Sequence, residues 1–131
     1  MSYAELPDTN ALFAKLTFDA AGLIPVIVQD SATKDVLMFA FANKEAVSLT
    51  CKTGYAHYFS RSRNKLWKKG EESGHLQKVH DILTDCDEDV LIYLVSQEGC
   101  ACHEGYLSCF FRDLAGNVIL PRLKDPKDIY R

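Results

Sequence analysis

Apolar residues gather in short blocks, alternating or unbroken, separated by turn-forming residues, and this pattern predicts strands more than helices. Leu23–Gln29 is apolar and β-branched, Asp30–Asp35 breaks the run, and Val36–Phe41 resumes it, which predicts a β-hairpin. Asn43 is placed to cap a short helix running to Lys52, with Glu45 in its first turn and Gly54 just past its end. Tyr55–Ser60 is aromatic and strand-like. Arg61–Gly74 has neither a helical nor a strand period and reads as a long loop, the kind that carries function in compact domains. Leu76–Asp85 and Val90–Gln97 are further strand candidates. Tyr106–Arg112 and Asn117–Leu120 flank Leu114-Ala115-Gly116 and suggest a second hairpin. One short helix and six or seven strands predict an α+β, mainly antiparallel β protein. Residues 1–131 form one domain in this reading, with 1–11 and 121–131 peripheral.

Composition narrows the class. The 131 residues are 47% hydrophobic and 25% charged, as expected of a globular protein rather than a disordered one. A net charge of −3 argues against a nucleic-acid coat or a polybasic membrane binder. The longest apolar run, Val90–Val95, is far too short to span a bilayer, and the first residues carry no secretory pattern, so a cytoplasmic location is expected. Five cysteines make a poor disulfide framework. Cys51 stands alone as an expected core thiol, whereas Cys86, Cys100, Cys102 and Cys109 crowd together, which suggests metal ligation or catalysis.

Three constellations could carry chemistry. If Asp85-Cys86-Asp87-Glu88-Asp89 is extended, Asp85, Asp87 and Asp89 share one face and Cys86 looks the other way. Three such carboxylates suit a hard cation such as Mg²⁺ or Ca²⁺, although an EF-hand is excluded by Val90 and Ser96 at its sixth and twelfth positions; a solvated acidic turn is the plainer reading. Cys86, Cys102 and Cys109 could form a three-thiolate zinc site with an open position, with Cys100 a rival ligand and buried core thiols the alternative. Because Cys86 faces away from the aspartates, its co-ligands could belong to another subunit. The third constellation is Arg61, Arg63, Lys65, Lys68 and Lys69 with Trp67 among them, suited to phosphates and an aromatic base. His103 adjoins a candidate ligand and could move protons, with Glu71 and Glu72 weaker candidates, whereas His57, His75 and His80 carry no such pointer.

Laid side by side, these segments resemble the phosphoribosyl-AMP cyclohydrolases of histidine biosynthesis. The likeness covers roughly residues 22–112: Gly22–Gln29, Val36–Met38, Ser60–Arg63 with Leu66-Trp67, Lys69–Glu71 and Ser73-Gly74, Asp85–Asp87 with Asp89, Ala101–His103 with Gly105, and Ser108–Phe110. It implies a pseudo-barrel-like sheet with short helices in an intertwined homodimer. It implies Mg²⁺ on Asp85, Asp87 and Asp89, and one Zn²⁺ per subunit on Cys86, Cys102 and Cys109, shared between chains. The implied reaction is hydrolytic opening of the adenine ring of 1-(5-phosphoribosyl)-AMP between N1 and C6. His103 or Glu71 would serve as the general base, while Arg61, Arg63, Trp67 and Lys69 would hold the nucleotide.

The sequence departs from the family pattern at Cys100, where a proline or small residue is expected, and at Phe41-Ala42-Asn43. It shows no fused pyrophosphohydrolase segment, so a monofunctional enzyme is expected. A zinc-containing nucleic-acid-binding module using residues 61–69 is the competing reading, and a non-catalytic interaction protein a third. A nucleobase deaminase would need H-x-E and P-C-x-x-C elements, which do not occur.

Overall fold

The computed structural model describes residues 13–129, so the lead-in at 1–11 lies outside the described residues. Strand β1 (Ile24–Asp30) buries Ile24, Val26 and Val28 at alternate positions, as a half-buried strand must. It pairs antiparallel with β2 (Val36–Ala42), and the expected hairpin forms. Its turn is held by Asp30, whose carboxylate accepts from the amides of Ala32 and Thr33 at 2.9 Å each. Helix α1 (Lys44–Thr53) follows, with the Asn43 side chain accepting from Ala46 N at 2.8 Å. Gly54 ends it in the left-handed region at φ 78°, its amide closing on Thr50 O.

Strands β3 (His57–Ser60) and β4 (Lys65–Lys68) form a two-stranded antiparallel sheet that sets Tyr58 opposite Trp67. Strands β5 (Gln77–Thr84) and β6 (Leu91–Gln97) pair antiparallel, and β6 lies parallel to β1, giving a four-stranded sheet in the order β2-β1-β6-β5. A short helix, α2 (Pro126–Ile129), follows the last loop. The architecture is α+β with mostly antiparallel sheets, open rather than a closed barrel. Ala56 joins the two sheets, donating to Gln77 O and accepting from Lys69 N, both at 3.0 Å. Between the sheets, Tyr58 stacks on Tyr93 at 5.7 Å and meets Trp67 at 5.0 Å, among the buried aliphatic residues of β1 and β6.

Three local expectations are met in part. The 61–74 segment is not all loop, because Lys65–Lys68 pairs with β3. The hairpin expected of 106–112 and 117–120 forms only at its tip, where Asp113 N donates to Asn117 O at 2.9 Å, Ile119 N donates to Phe111 O at 2.8 Å and Arg112 bridges to Val118, while Tyr106 bridges to Arg122. The earlier part of the segment is seated against β2 instead, where Cys109 N donates to Leu37 O at 2.7 Å and Ser108 Oγ to Val36 O at 2.6 Å. The 85–89 segment is the acidic turn of the plainer reading, not the extended run that would set Cys86 opposite the aspartates, with Glu88 at φ 58° and its amide donating to Asp85 O.

Candidate active site

The turn between β3 and β4 forms one wall of a cleft of about 810 Å³. Arg61, Arg63, Trp67, Lys69 and Glu71, five of the residues expected to act on a nucleotide, all line it. The Ser60 hydroxyl accepts from Arg63 N at 3.2 Å, and Asn64 takes φ 49° to close the turn. From β2, Phe41 lies beneath the Arg61 guanidinium, 3.9 Å from ring centroid to Cζ, a cation–π contact that orients an exposed arginine. Trp67 is half-buried against Tyr58 and so is part of the cleft's rigid floor.

Lys69 leaves this wall in another direction. Its ammonium donates to the Ala101 carbonyl at 2.7 Å, in the loop that carries Cys100 and Cys102. Burial lowers its pKa, and the nearby sulfurs of Cys109, Cys102 and Cys100 act in the opposite sense. That loop is anchored on its other side by His75, whose Nδ1 accepts from Cys100 N at 3.0 Å. Cys102 is buried, with its amide donating to Tyr106 O and its carbonyl accepting from Gly105 N, both at 3.1 Å. Cys109 lies nearer the surface, yet packing around its sulfur and the neighbouring Cys102 push its thiol up to about 11.

The turn at 85–89 brings the carboxylates of Asp85, Asp87 and Asp89 within 4.8 Å of one another, all exposed. The Asp89 amide lowers the Asp85 carboxyl below its ordinary value, and sharing a proton with Asp85 raises that of Asp89. Three hard oxygen donors at this spacing match the chemistry of a divalent cation. Among the described residues this is the only group of three such donors, so Cys86 does not meet Cys102 and Cys109 within one chain. Cys100 does not complete such a group either, its sulfur being directed to Gly105 O at 3.3 Å. His103 is exposed beside Cys102 and is not part of the cleft lining.

Sequence reasoning passed over Phe41 and His75 as site residues. Phe39-Ala40-Phe41 places two aromatics on one face of β2, a readable signal for the first, whereas nothing local marks His75 as the support of a loop 25 residues away.

A family model described as phosphoribosyl-AMP cyclohydrolase matches residues 38–111, from β2 through Phe111. A phosphoribosyl-AMP cyclohydrolase of Methanocorpusculum labreanum is 74% identical over 125 residues, 95% of this chain and 98% of that protein. One from Methanospirillum hungatei is 65% identical, over 95% of each chain. The histidine biosynthesis bifunctional protein HisIE of Aquifex aeolicus is 57% identical over 85% of this chain and 58% of its own length. The matched span holds the cleft, the carboxylates and the thiols, and it marks the chain as an enzyme. The chain belongs to the phosphoribosyl-AMP cyclohydrolase family.

Proposed function

We propose that the protein opens the adenine ring of 1-(5-phosphoribosyl)-AMP by hydrolysis in histidine biosynthesis, in the cytoplasm. In the reaction the oxygen of water bonds to C6, the C6–N1 bond breaks and N1 gains a proton. The observation that carries this reading is Lys69, which ties an arginine-lined, aromatic-floored cleft directly to the loop bearing Cys102. Names carried by the relatives at 74% and 65% identity support the same activity.

Arg61 and Arg63 hold the substrate's phosphates as forked donors, and the Phe41 ring keeps the first in place. Trp67 presents a fixed aromatic surface to the nucleotide. Cys102 and Cys109 are paired soft donors that suit zinc, with Cys86 of a second copy as third ligand. Bound there, zinc would supply Lewis acidity that lets water ionise near pH 7. His103 takes the proton from water and returns one to the departing ring nitrogen, with Glu71 on the cleft wall the alternative base. Asp85, Asp87 and Asp89 would hold Mg²⁺, which would supply positive charge that helps order the substrate.

A homodimer follows from the same reading. Phe110, beside Cys109, is 53% exposed, and Ile119 and Leu123 are 61% and 55% exposed around an apolar groove of about 320 Å³. A second copy covering this face would bring its own Cys86 to the thiol pair. The test mixes two inactive homodimers, Cys86→Ser and Cys109→Ser. If the site is shared, each mixed dimer carries one intact site of two and activity returns. If mixing restores neither activity nor bound zinc, sharing between chains is wrong.

A further inference from the structure

Cys102 is not buried in the main core. It belongs to a second, smaller apolar cluster with Tyr106 and Phe111, against which Leu120 packs. Tyr106 and Phe111 stack at 3.7 Å with parallel rings. The segment 120–124 covers this cluster from outside, beyond the span that the family model matches. Its backbone does the fastening. The amides of Leu123 and Lys124 both donate to the Gly105 carbonyl, at 2.8 and 3.1 Å, and Arg122 bridges to Tyr106. The Arg122 guanidinium also lies over the Tyr106 ring, 5.3 Å from its centroid.

The contact is close enough to exclude a side chain. A Cβ on Gly105 would stand 1.7 Å from Lys124 O, so this position, at φ 93°, accommodates the strap only as glycine. Gly105 is in turn part of the loop that fixes the thiol: its amide donates to Cys102 O, and its carbonyl also accepts from the Cys100 sulfur. Two strap amides therefore act on one carbonyl, and that carbonyl's residue defines the turn that holds Cys102.

We propose that residues 120–124 are a positioning strap for the ligand cysteine Cys102, so that thiol shielding and metal retention both depend on a segment peripheral to the family core. The metal part of this inference rests on the zinc reading above; the shielding part does not. Partners that orient a metal ligand are typically worth about 10- to 100-fold in metal affinity.

The test compares Leu123→Pro, which deletes one strap amide, with Leu123→Met, which keeps both the amide and an apolar side chain on the face that a second copy covers. In metal-free protein, alkylation of Cys102 by iodoacetamide, located by mass spectrometry, is expected to quicken about tenfold in the proline variant, the scale of one lost buried hydrogen bond. It stays within about twofold of wild type in the methionine variant, because the hydrogen bond survives. Zinc affinity, measured by competition with a chromophoric chelator, weakens about tenfold in the proline variant only. Should Leu123→Pro fail to fold, Leu120→Ala, which retains every strap amide and opens the cluster, is expected to quicken Cys102 alkylation in a folded chain. Equal Cys102 reactivity in wild type, Leu123→Pro and Leu120→Ala overturns the proposal. A wild type that binds no zinc overturns the zinc reading while the alkylation contrast still decides the strap.

Discussion

The ammonium of Lys69 and the carbonyl of Ala101 meet at 2.7 Å across 32 residues of sequence, joining the arginine-lined cleft to the thiol loop. A lysine in this position is occupied by the protein and half-buried, unlike Arg61 and Arg63, which are exposed at the cleft mouth. Lys69→Met is therefore expected to lower kcat and zinc affinity about tenfold, the scale of a charged hydrogen bond, while KM changes less than about threefold. Steady-state kinetics with chelator competition checks this. A raised KM with full zinc affinity would make Lys69 a phosphate contact instead.

Arg61 and Phe41 predict a graded effect on binding. Arg61→Ala is expected to raise KM roughly 10- to 100-fold through loss of charge-assisted contacts to phosphate. Phe41→Leu, which removes only the ring beneath the guanidinium, raises it about two- to fivefold at nearly constant kcat, and Phe41→Tyr restores it. Equal KM values for Phe41→Leu and wild type would show that the 3.9 Å stacking does not orient the arginine.

The Cys109 thiol predicts the pH behaviour of the metal-free protein. Burial and Cys102 push it up to about 11, so at neutral pH it carries less thiolate than an ordinary cysteine. Its alkylation at pH 7 is expected to be slower than that of a free thiol and to climb with pH toward about 11. Because ligation requires the thiolate, zinc binding releases protons and strengthens as pH rises through the same range. A rate profile levelling off near pH 8 would contradict this account of the site.

Helix α1 depends on its caps. Asn43→Ala leaves the Ala46 amide without its 2.8 Å acceptor and is expected to cost about 1 kcal/mol, while Asn43→Ser recovers most of it. Thermal unfolding checks both, with the alanine variant melting a few degrees lower.

Features fixed by local chemistry were legible in the sequence. Asp30, Asn43 and Gly54 mark a turn and both ends of a helix because each acts on amides or dihedrals a few residues away. The carboxylate trio was legible too, although a turn, not an extended run, brings Asp85, Asp87 and Asp89 together. Pairings between distant segments were not. The parallel register of β1 with β6 and the Gly105 fastening are made by backbone groups, which every residue carries, so no side-chain pattern announces them. Strand β4 was hidden for a different reason: Lys65-Leu66-Trp67-Lys68 is short and basic, and its ladder exists because β3 lies alongside it. Lys69 was readable as a cation near a cleft, whereas its direction depended on where residues 100–102 were folded.

The central claim is zinc-dependent hydrolysis of 1-(5-phosphoribosyl)-AMP, and it is tested most directly by following turnover spectrophotometrically with metal content measured on the same sample. The account predicts turnover that disappears when zinc is chelated and returns when zinc is restored at about one ion per chain. A folded, zinc-loaded protein supplied with Mg²⁺ that leaves the substrate's adenine ring intact would contradict it.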